Sequence, residues 1–338
     1  MEAHPFDPAG AAGAPDGSVL VTVVRREGRA YRGPGSKLLV RPDGSLVGGV
    51  DAGRPDPAAL RAAASDGPLV RTVDLSADPP WGLGTSNGVV DLLLEPFDGA
   101  LRPVAAAAAD GRPTAVATLL DESCPRLALV DGRVAALRGP VPGRLAGPLA
   151  RHLRERAADG TAGVVTADGT PTLVDGTWTP PTLLVCGAGA DVRPVATLGA
   201  DVGFRPVVAA LGDRSPPAPA DARTLSTAPD RLPAALDAGE RTYAVLATHD
   251  FDADLAACRA LLDAGVPYVG VVGPDPRARG LLEELPPADR DRVYAPVGLD
   301  VGTETPEEVA VSVVGEVLAV RAGRTGGHLR VPERERGA

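Results

Sequence analysis

The sequence is poor in aromatic side chains and in lysine. Phe, Trp and Tyr make up only 3% of its 338 residues, too few for a surface on which nucleic-acid bases stack. Lys37 is the single lysine, and the formal net charge is -10 at pH 7, whereas a face that binds a phosphate backbone needs an excess of basic residues. We therefore expect no nucleic-acid partner.

The sequence also lacks long hydrophobic runs and paired cysteines. No stretch of about 18 apolar residues occurs, so we expect no membrane-spanning segment. The first residues, "MEAHPFDPAG", have neither the basic segment nor the apolar core of a signal peptide. Cys124, Cys186 and Cys258 are scattered without C-x-x-C spacing, which indicates free thiols in a reducing cytoplasm and argues against a thiolate metal site.

The length of 338 residues is sufficient for two domains, each with its own core. We predict an unstructured N-terminus (residues 1–15), an α+β domain (16–178), a Rossmann-like domain (179–329) and an unstructured tail (330–338). In the N-terminal domain, a strand, a hairpin, a helix and two closing strands occur twice, over residues 18–98 and 113–178. This order predicts a duplicated unit whose second copy is shorter.

From residue 181 onward, apolar strands alternate with helices. We predict strands at residues 183–186, 207–210, 244–248, 268–272 and 293–295. A final helix begins with the capping box of Thr305 and Glu308. This alternation is typical of a mostly parallel sheet with helices on both faces, so the predicted fold class is α/β.

Glycines directly after the first of these strands indicate a phosphate-binding turn. Gly187 and Gly189 lie where backbone N–H groups can approach a phosphate, or where a tight turn simply connects two elements. Val192 occupies the place of the third glycine of the dinucleotide fingerprint. Asp213 comes too late to be its acidic ribose ligand. The sequence therefore argues against NAD(P) binding.

Two further loops follow predicted strands and reach the same edge of the sheet. His249 and Asp250 come after one strand, and His249 can donate a hydrogen bond to an anion, while Asp250 can equally cap the next helix. Gly298 and Asp300 come after the last strand, where Asp300 can instead fix the loop. Loops that converge at one edge of a sheet predict a ligand-binding cleft.

Several stretches, in order along the chain, resemble the XdhC/CoxI family of accessory factors of xanthine dehydrogenase-type molybdenum enzymes. They are "EGRAYRGPGSKLLV", "WGLGTSNGVVDLLLEP", "AVLATHDFDADLAACRALLDAGVPYVGVVG" and "VYAPVGLDVGTETPEEVAVSVVGEVLAVRAGRTGG". The resemblance implies a chaperone-like protein that binds molybdenum cofactor between its domains and delivers it to an apo molybdenum hydroxylase. It implies no turnover of a metabolite by the chain itself.

The sequence departs from the family pattern at both cysteines. Arg54 and Ser86 stand where family members commonly carry cysteine, so sulfur transfer through cysteine is not expected. The family's basic loop is altered to "GPDPRAR", which leaves Arg277 and Arg279, and Arg277 is a candidate ligand of the cofactor. Polar groups in the glycine-rich N-terminal loops, namely Arg32, Ser86 and Asn87, are candidates for the same cleft or are solvated turn residues.

Two other functions remain open at this point. One is an NAD(P)-dependent oxidoreductase built on the Rossmann-like domain, and the other is a degenerate family member that acts as a binding scaffold. Apolar surface is compatible with a homodimer. The candidate cofactor-binding residues are Arg32, Ser86, Asn87, Gly187, Gly189, His249, Asp250, Arg277, Gly298 and Asp300, and we predict no catalytic residue and no metal ligand.

Overall fold

The computed structural model describes residues 6–28, 32–50, 56–76, 88–211, 218–220 and 222–328. The chain divides into two compact units, Met1–Pro180 and Pro181–Ala338. The predicted domain boundary, between residues 178 and 179, lies close to this division. Among the described residues, no helix combines the length and the apolar character that crossing a bilayer requires.

The N-terminal unit begins with a short helix that the sequence did not predict. Helix α1 (Pro8–Ala12) starts at Asp7, whose carboxylate accepts hydrogen bonds from the backbone N–H groups of Ala9 at 2.9 Å and Gly10 at 2.7 Å. Ala11 is fully buried. The expectation of an unstructured segment over residues 1–15 is therefore wrong from residue 6 onward, because Asp7 caps the helix and Ala11 anchors it.

The first repeat forms a five-stranded antiparallel sheet, and we call these strands, with their helix, repeat 1. Its elements are β1 (Val19–Gly28), β2 (Lys37–Val40), β3 (Leu46–Gly48), α2 (Pro57–Ala63), β4 (Leu69–Asp74) and β5 (Gly88–Pro96). The strand order is β3-β2-β1-β5-β4. Helix α3 (Arg102–Ala109) then leads out of the repeat.

The second repeat has the same topology, which confirms the predicted duplication. Repeat 2 consists of β6 (Thr114–Leu119), β7 (Arg126–Val130), β8 (Arg133–Arg138), α4 (Gly143–Asp159), β9 (Ala162–Ala167) and β10 (Thr170–Asp175). Its strand order is β8-β7-β6-β10-β9. Asp131 and Gly132 have φ values of 52° and 73°, as the two central residues of a type I′ hairpin turn require.

Each sheet of the N-terminal unit packs its own helix against one face. In repeat 1, Leu60 of α2 packs on alternate residues of β1, among them Val21. In repeat 2, α4 contributes Leu145, Leu149 and Leu153, which follow one another at a spacing of one helical turn. The other faces of both sheets share a cluster with α1 and α3. Both faces of each sheet are therefore covered.

The C-terminal unit contains one parallel six-stranded sheet, which confirms the predicted fold class. Its elements are β11 (Thr182–Gly187), α5 (Val192–Asp201), β12 (Arg205–Leu211), β13 (Arg223–Thr227), α6 (Leu232–Leu236), β14 (Thr242–Ala247), α7 (Phe251–Asp263), β15 (Tyr268–Val271), α8 (Asp275–Glu283), β16 (Val293–Tyr294) and α9 (Pro306–Arg321). The order β13-β12-β11-β14-β15-β16 is that of the doubly wound dinucleotide-binding folds.

Helices cover both faces of this sheet. One face packs against α6, α7 and α8, and the opposite face packs against α5 and α9. Helix α9 begins with the predicted capping box, in which Thr305 and Glu308 exchange side-chain and backbone hydrogen bonds. Strand β13 was not predicted, because Arg223–Thr227 is largely polar and lies at the sheet edge.

Candidate functional site

The glycine turn and the His249 loop meet at the topological switch point of the C-terminal sheet. Strands β11 and β14 are parallel neighbours, and Gly187 pairs with Ala247 at their carboxyl ends. The strand order reverses between them, and such a switch point is where open α/β sheets bind ligands. A methyl group placed on Gly189 would lie 3.4 Å from Nε2 of His249. The predicted convergence of these two loops is confirmed.

The backbone requires glycine at position 187, where the end of β11 lies beside the end of β14. The φ of Gly187 is +147°, and a Cβ at this position would lie 2.3 Å from the carbonyl oxygen of Ala247. Gly189 is different, because its φ is not in the positive range and its nearest neighbour is the His249 imidazole. Gly187 thus shapes the turn, whereas Gly189 keeps the space in front of the imidazole open.

The helix after the glycine turn approaches the sheet without the third glycine of the fingerprint. Val192, at that place, is fully buried in the core. The close approach occurs at Gly199 instead, where a Cβ would lie only 2.4 Å from Cδ2 of Leu183. The first turn of α5 receives no side-chain cap from Asp191. The N-terminus of α5 follows the carboxyl end of β11, and a helix N-terminus favours an anion.

His249 is exposed and lies in the left-handed region, with φ of +61°. Such a conformation is uncommon for histidine and indicates that the surrounding contacts hold the loop. The Thr248 hydroxyl accepts a hydrogen bond from the backbone N–H of Asp250 at 3.1 Å, and Arg277 Nη1 donates to the His249 carbonyl at 3.4 Å. The imidazole is therefore presented to solvent on a fixed backbone.

Asp250 caps a helix. It is the N-cap of α7 and accepts a hydrogen bond from the backbone N–H of Ala253 at 3.1 Å. This is the structural alternative that the sequence left open for Asp250.

Asp254 organises the loop and was missed by the sequence analysis. It is fully buried, accepts a hydrogen bond from the Thr248 hydroxyl at 2.6 Å and forms an ion pair with Arg277. Arg277 also lies over the Phe251 ring, 5.9 Å from its centroid. The signal was present, since Asp254 falls on the apolar stripe of α7 at helical spacing from Cys258. A carboxylate on a buried stripe needs a partner, and Arg277 supplies it.

The Gly298 loop reaches the same edge of the sheet, but its glycine is structural. Gly298 has a φ of +108°, and its N–H donates to Oε1 of Glu316 at 3.0 Å. The Tyr268 hydroxyl donates to the same oxygen at 2.7 Å, and burial, reinforced by this carboxylate, raises the pKa of Tyr268 well above its usual value. Ser312 donates to the Leu299 carbonyl at 2.7 Å. These contacts fix the loop and leave Asp300 exposed.

The N-terminal candidates are less fully described. Arg32 is exposed in the connection that follows β1, and Ser86, Asn87 and Arg54 lie outside the described residues. Among the described residues, Gly28 at the end of β1 pairs with Gly88, the first residue of β5. The proposed contribution of the N-terminal candidates to cofactor binding stays a prediction.

None of the three cysteines presents a thiol to solvent. Cys124, Cys186 and Cys258 are all buried and free. Burial raises the pKa of Cys258 to about 12 and raises that of Cys186 further. Within the described ranges, no three His, Cys, Asp or Glu side chains form a group suited to a metal ion.

We expect the native protein to react negligibly with a thiol reagent at pH 8, because the reactive species is the thiolate and the raised pKa values keep these thiols protonated. Absorbance of the released chromophore measures the reaction. The protein in denaturant is the control and should show all three thiols. Rapid reaction of Cys186 in the folded protein would contradict the burial described above.

Two family models match the chain, one in each unit. The model described as the XdhC and CoxI family matches residues 12–71. The model described as the XdhC Rossmann domain matches residues 183–317, and the two matches together cover more than half of the chain.

The chain belongs to the XdhC and CoxI family.

Two similar proteins match part of the chain. A Bacillus subtilis protein described as a probable subunit of xanthine dehydrogenase is 33% identical over 144 residues, which are 42% of this chain and 43% of the relative. An Escherichia coli protein described as "Uncharacterized protein YqeB" is 29% identical over 170 residues, which are 46% of this chain and 30% of the relative. The matches thus span less than half the length of either relative.

A solved structure has the same fold. The crystal structure of a protein described as a xanthine dehydrogenase from Bacillus halodurans superposes with a TM-score of 0.70 and 24% sequence identity. The alignment covers 95% of this chain and 97% of that one.

Proposed function

We propose that this XdhC/CoxI family member is an accessory protein that binds molybdenum cofactor and supports its insertion into a xanthine dehydrogenase-type hydroxylase. Family membership and the similarity to a protein described as part of a xanthine dehydrogenase support this role. The observation that carries the proposal is the meeting of the glycine turn, the exposed His249 and Arg277 at the switch point of the C-terminal sheet.

The residues at this edge fit the anionic part of such a cofactor. The uncapped first turn of α5 offers backbone N–H groups, and the open space at Gly189 brings a bound group against the His249 imidazole. Arg277 adds a positive charge beside the loop, part of which Asp254 compensates. The N–H groups and His249 would hold the phosphate, while Arg277 orients the His249 backbone. When bound, the cofactor supplies the molybdenum that the recipient enzyme needs for its redox chemistry.

The proposal assigns binding and delivery to this chain and leaves sulfur transfer aside. A persulfide carrier needs an accessible thiolate, and the three thiols of this chain are buried. Arg54 and Ser86 occupy the positions where family members commonly have cysteine.

The replacement His249→Asn tests the site, because asparagine tolerates the left-handed backbone and removes only the imidazole. Co-expressed with cofactor biosynthesis, this variant should retain about tenfold less molybdenum and pterin than the unaltered chain, since a charge-assisted hydrogen bond is lost. Metal analysis of the purified proteins measures the difference. His152→Asn, on helix α4 of the other unit, is the matched control and should retain as much as the unaltered chain. Equal retention by both variants would exclude His249 from the site.

A second candidate is an NAD(P)-dependent oxidoreductase, which the strand order of the C-terminal sheet favours. The glycine pattern disfavours it, because Val192 stands in the place of the third glycine and Asp213 comes too late in the sequence to be the acidic ribose ligand. Titration with NADPH separates the two functions. Saturable binding in the micromolar range by protein that retains no pterin would replace the carrier by the oxidoreductase.

A further inference from the structure

The two repeats of the N-terminal unit can be aligned residue by residue through their hydrogen-bonded registers. In repeat 1, Thr22 of β1 pairs with Lys37, the first residue of β2. In repeat 2, Thr118 of β6 pairs with Arg126, the first residue of β7. Lys37 and Arg126 are therefore equivalent positions, and each repeat carries a cation there.

The same alignment makes two acidic residues equivalent. Leu20 of β1 pairs with Glu95 of β5, and Val116 of β6 pairs with Asp175 of β10. Leu20 precedes the β1 threonine by the same number of residues as Val116 precedes the β6 threonine. Each repeat thus carries one cation on its second strand and one carboxylate on its fifth strand.

The ion pairs cross between the repeats. Lys37 of repeat 1 contacts Asp175 of repeat 2, with 2.8 Å between Nζ and Oδ2. Arg126 of repeat 2 forms an ion pair with Glu95 of repeat 1. None of the four side chains is more than 6% exposed. The cation of each repeat is neutralised by the acid of the other.

Equivalent apolar residues of the two repeats also lie together between the sheets. Leu93 pairs with Thr22 and Leu173 pairs with Thr118, so these leucines are equivalent, and both lie in one buried cluster with Cys124. Two more equivalent residues complete this cluster, Val24 and Leu120.

A second shared cluster contains two further equivalent pairs. Leu20 of repeat 1 and its counterpart Val116 are both members. Leu39 and Ala128, which pair with them across their respective ladders, belong to the same cluster. Equivalent residues from both halves therefore meet throughout the contact.

An interface in which the same surface of each half faces the other is isologous, the arrangement of a two-fold symmetric dimer. We propose that the N-terminal unit is an isologous dimer joined into one chain, in which the reciprocal Lys37–Asp175 and Arg126–Glu95 pairs fix how the two repeats dock. The inner face of each repeat is the sheet face that carries these ion pairs and the shared clusters. The inner face of repeat 1 packs against the inner face of repeat 2. Buried ion pairs add little net stability, but they penalise every docking that leaves a charge unpaired.

The surroundings of Lys37 agree with a role in docking. Its ammonium donates to the Gly35 carbonyl at 2.9 Å and to the Thr177 hydroxyl at 2.6 Å, in addition to Asp175. All three of its hydrogens are thus used, with one partner on its own repeat. The ammonium also lies 4.9 Å from the Trp178 ring centroid. A group held in this way serves to fix the position of the neighbouring repeat.

Matched double variants of the full chain test the proposal. K37M/D175N removes both members of one pair, and R126M/E95Q removes both members of the other. K37M/E95Q and R126M/D175N remove one member from each pair and leave two buried charges without partners. All four doubles have the same net charge as the unaltered chain. They differ in whether the two buried charges that remain are partners of each other.

We expect the two unmatched doubles to melt at least about 10 °C below the two matched doubles, because unpaired buried charges are strongly destabilising. Cys124 supplies the second readout, since it lies in the cluster that both repeats build. It should react with a thiol reagent in the unmatched doubles and stay protected in the matched ones. Cys186 and Cys258, in the C-terminal unit, serve as internal controls.

An unmatched double that fails to accumulate, while its matched counterpart folds, also supports the proposal. Equal melting temperatures for all four doubles would overturn it, and so would a Cys124 that stays protected in unmatched doubles with lowered melting temperatures. If only one of the two ion pairs were needed for stability, and the other could be removed or left unmatched without lowering the melting temperature, the reciprocal role would be contradicted.

Discussion

Replacing Asp254 with alanine is expected to destabilise the C-terminal unit by about 3 kcal/mol, since removal of one member of a buried ion pair leaves the other uncompensated. Asp254 is fully buried, and its carboxylate holds both the Thr248 hydroxyl and Arg277. The variant should also release the His249 loop from its left-handed conformation. Denaturant unfolding measures the first effect, and cofactor retention measures the second.

The control is Asp252→Asn, an exposed position in the first turn of the same helix. Surface changes of this kind alter the free energy of unfolding by no more than about 0.5 kcal/mol. If Asp254→Ala unfolds at the same denaturant concentration as Asp252→Asn, the buried carboxylate does not organise the loop.

Replacing Gly187 with valine is expected to destabilise the protein by about 3 kcal/mol or more, because a β-branched residue cannot adopt its conformation without strain. The φ of +147° and the 2.3 Å separation between a Cβ and the Ala247 carbonyl oxygen both oppose any side chain here. The obstructing atoms belong to the backbone of a central strand, which cannot move aside. Thermal and denaturant unfolding of the purified variant measure the loss.

Gly189→Ala separates stability from binding in the same turn. Its methyl group would meet only the His249 imidazole, at 3.4 Å, so the unfolding free energy should change by no more than about 0.5 kcal/mol. Cofactor retention should nevertheless fall, since the methyl group occupies the space beside the imidazole. A Gly187→Val variant as stable as the unaltered chain would show that the turn has been assigned incorrectly. A Gly189→Ala variant that loses as much stability as Gly187→Val would show the same.

Much of the fold could be predicted because local signals agree with the tertiary structure. The Asp131-Gly132 turn, the Thr305 capping box and the strand–helix alternation after residue 181 all depend on neighbouring residues. Such signals survive in a single sequence. Helix α1 was missed because its sequence is rich in proline and glycine, and only the capping by Asp7 and its packing reveal it.

The candidate site was predicted unevenly for a related reason. Glycines that follow an apolar strand mark Gly187 and Gly189 directly. The Asp254–Arg277 pair joins two different helices, and the Lys37–Asp175 pair joins two residues that are far apart in the sequence of the N-terminal unit. The apolar stripe of α7 indicates that Asp254 is buried, but local sequence does not identify Arg277 as its partner, because only the folded chain brings the two together.

The most direct test of the carrier account is the small-molecule content of the intact protein. The protein is purified from a host supplied with molybdate, and the material released on denaturation is analysed for molybdenum by mass spectrometry and for pterin by absorbance. The account predicts pterin and molybdenum in equal amounts, bound by a chain whose three thiols are all buried. Protein that carries neither, even when cofactor biosynthesis is co-expressed, would contradict the assignment of this family member as a cofactor carrier.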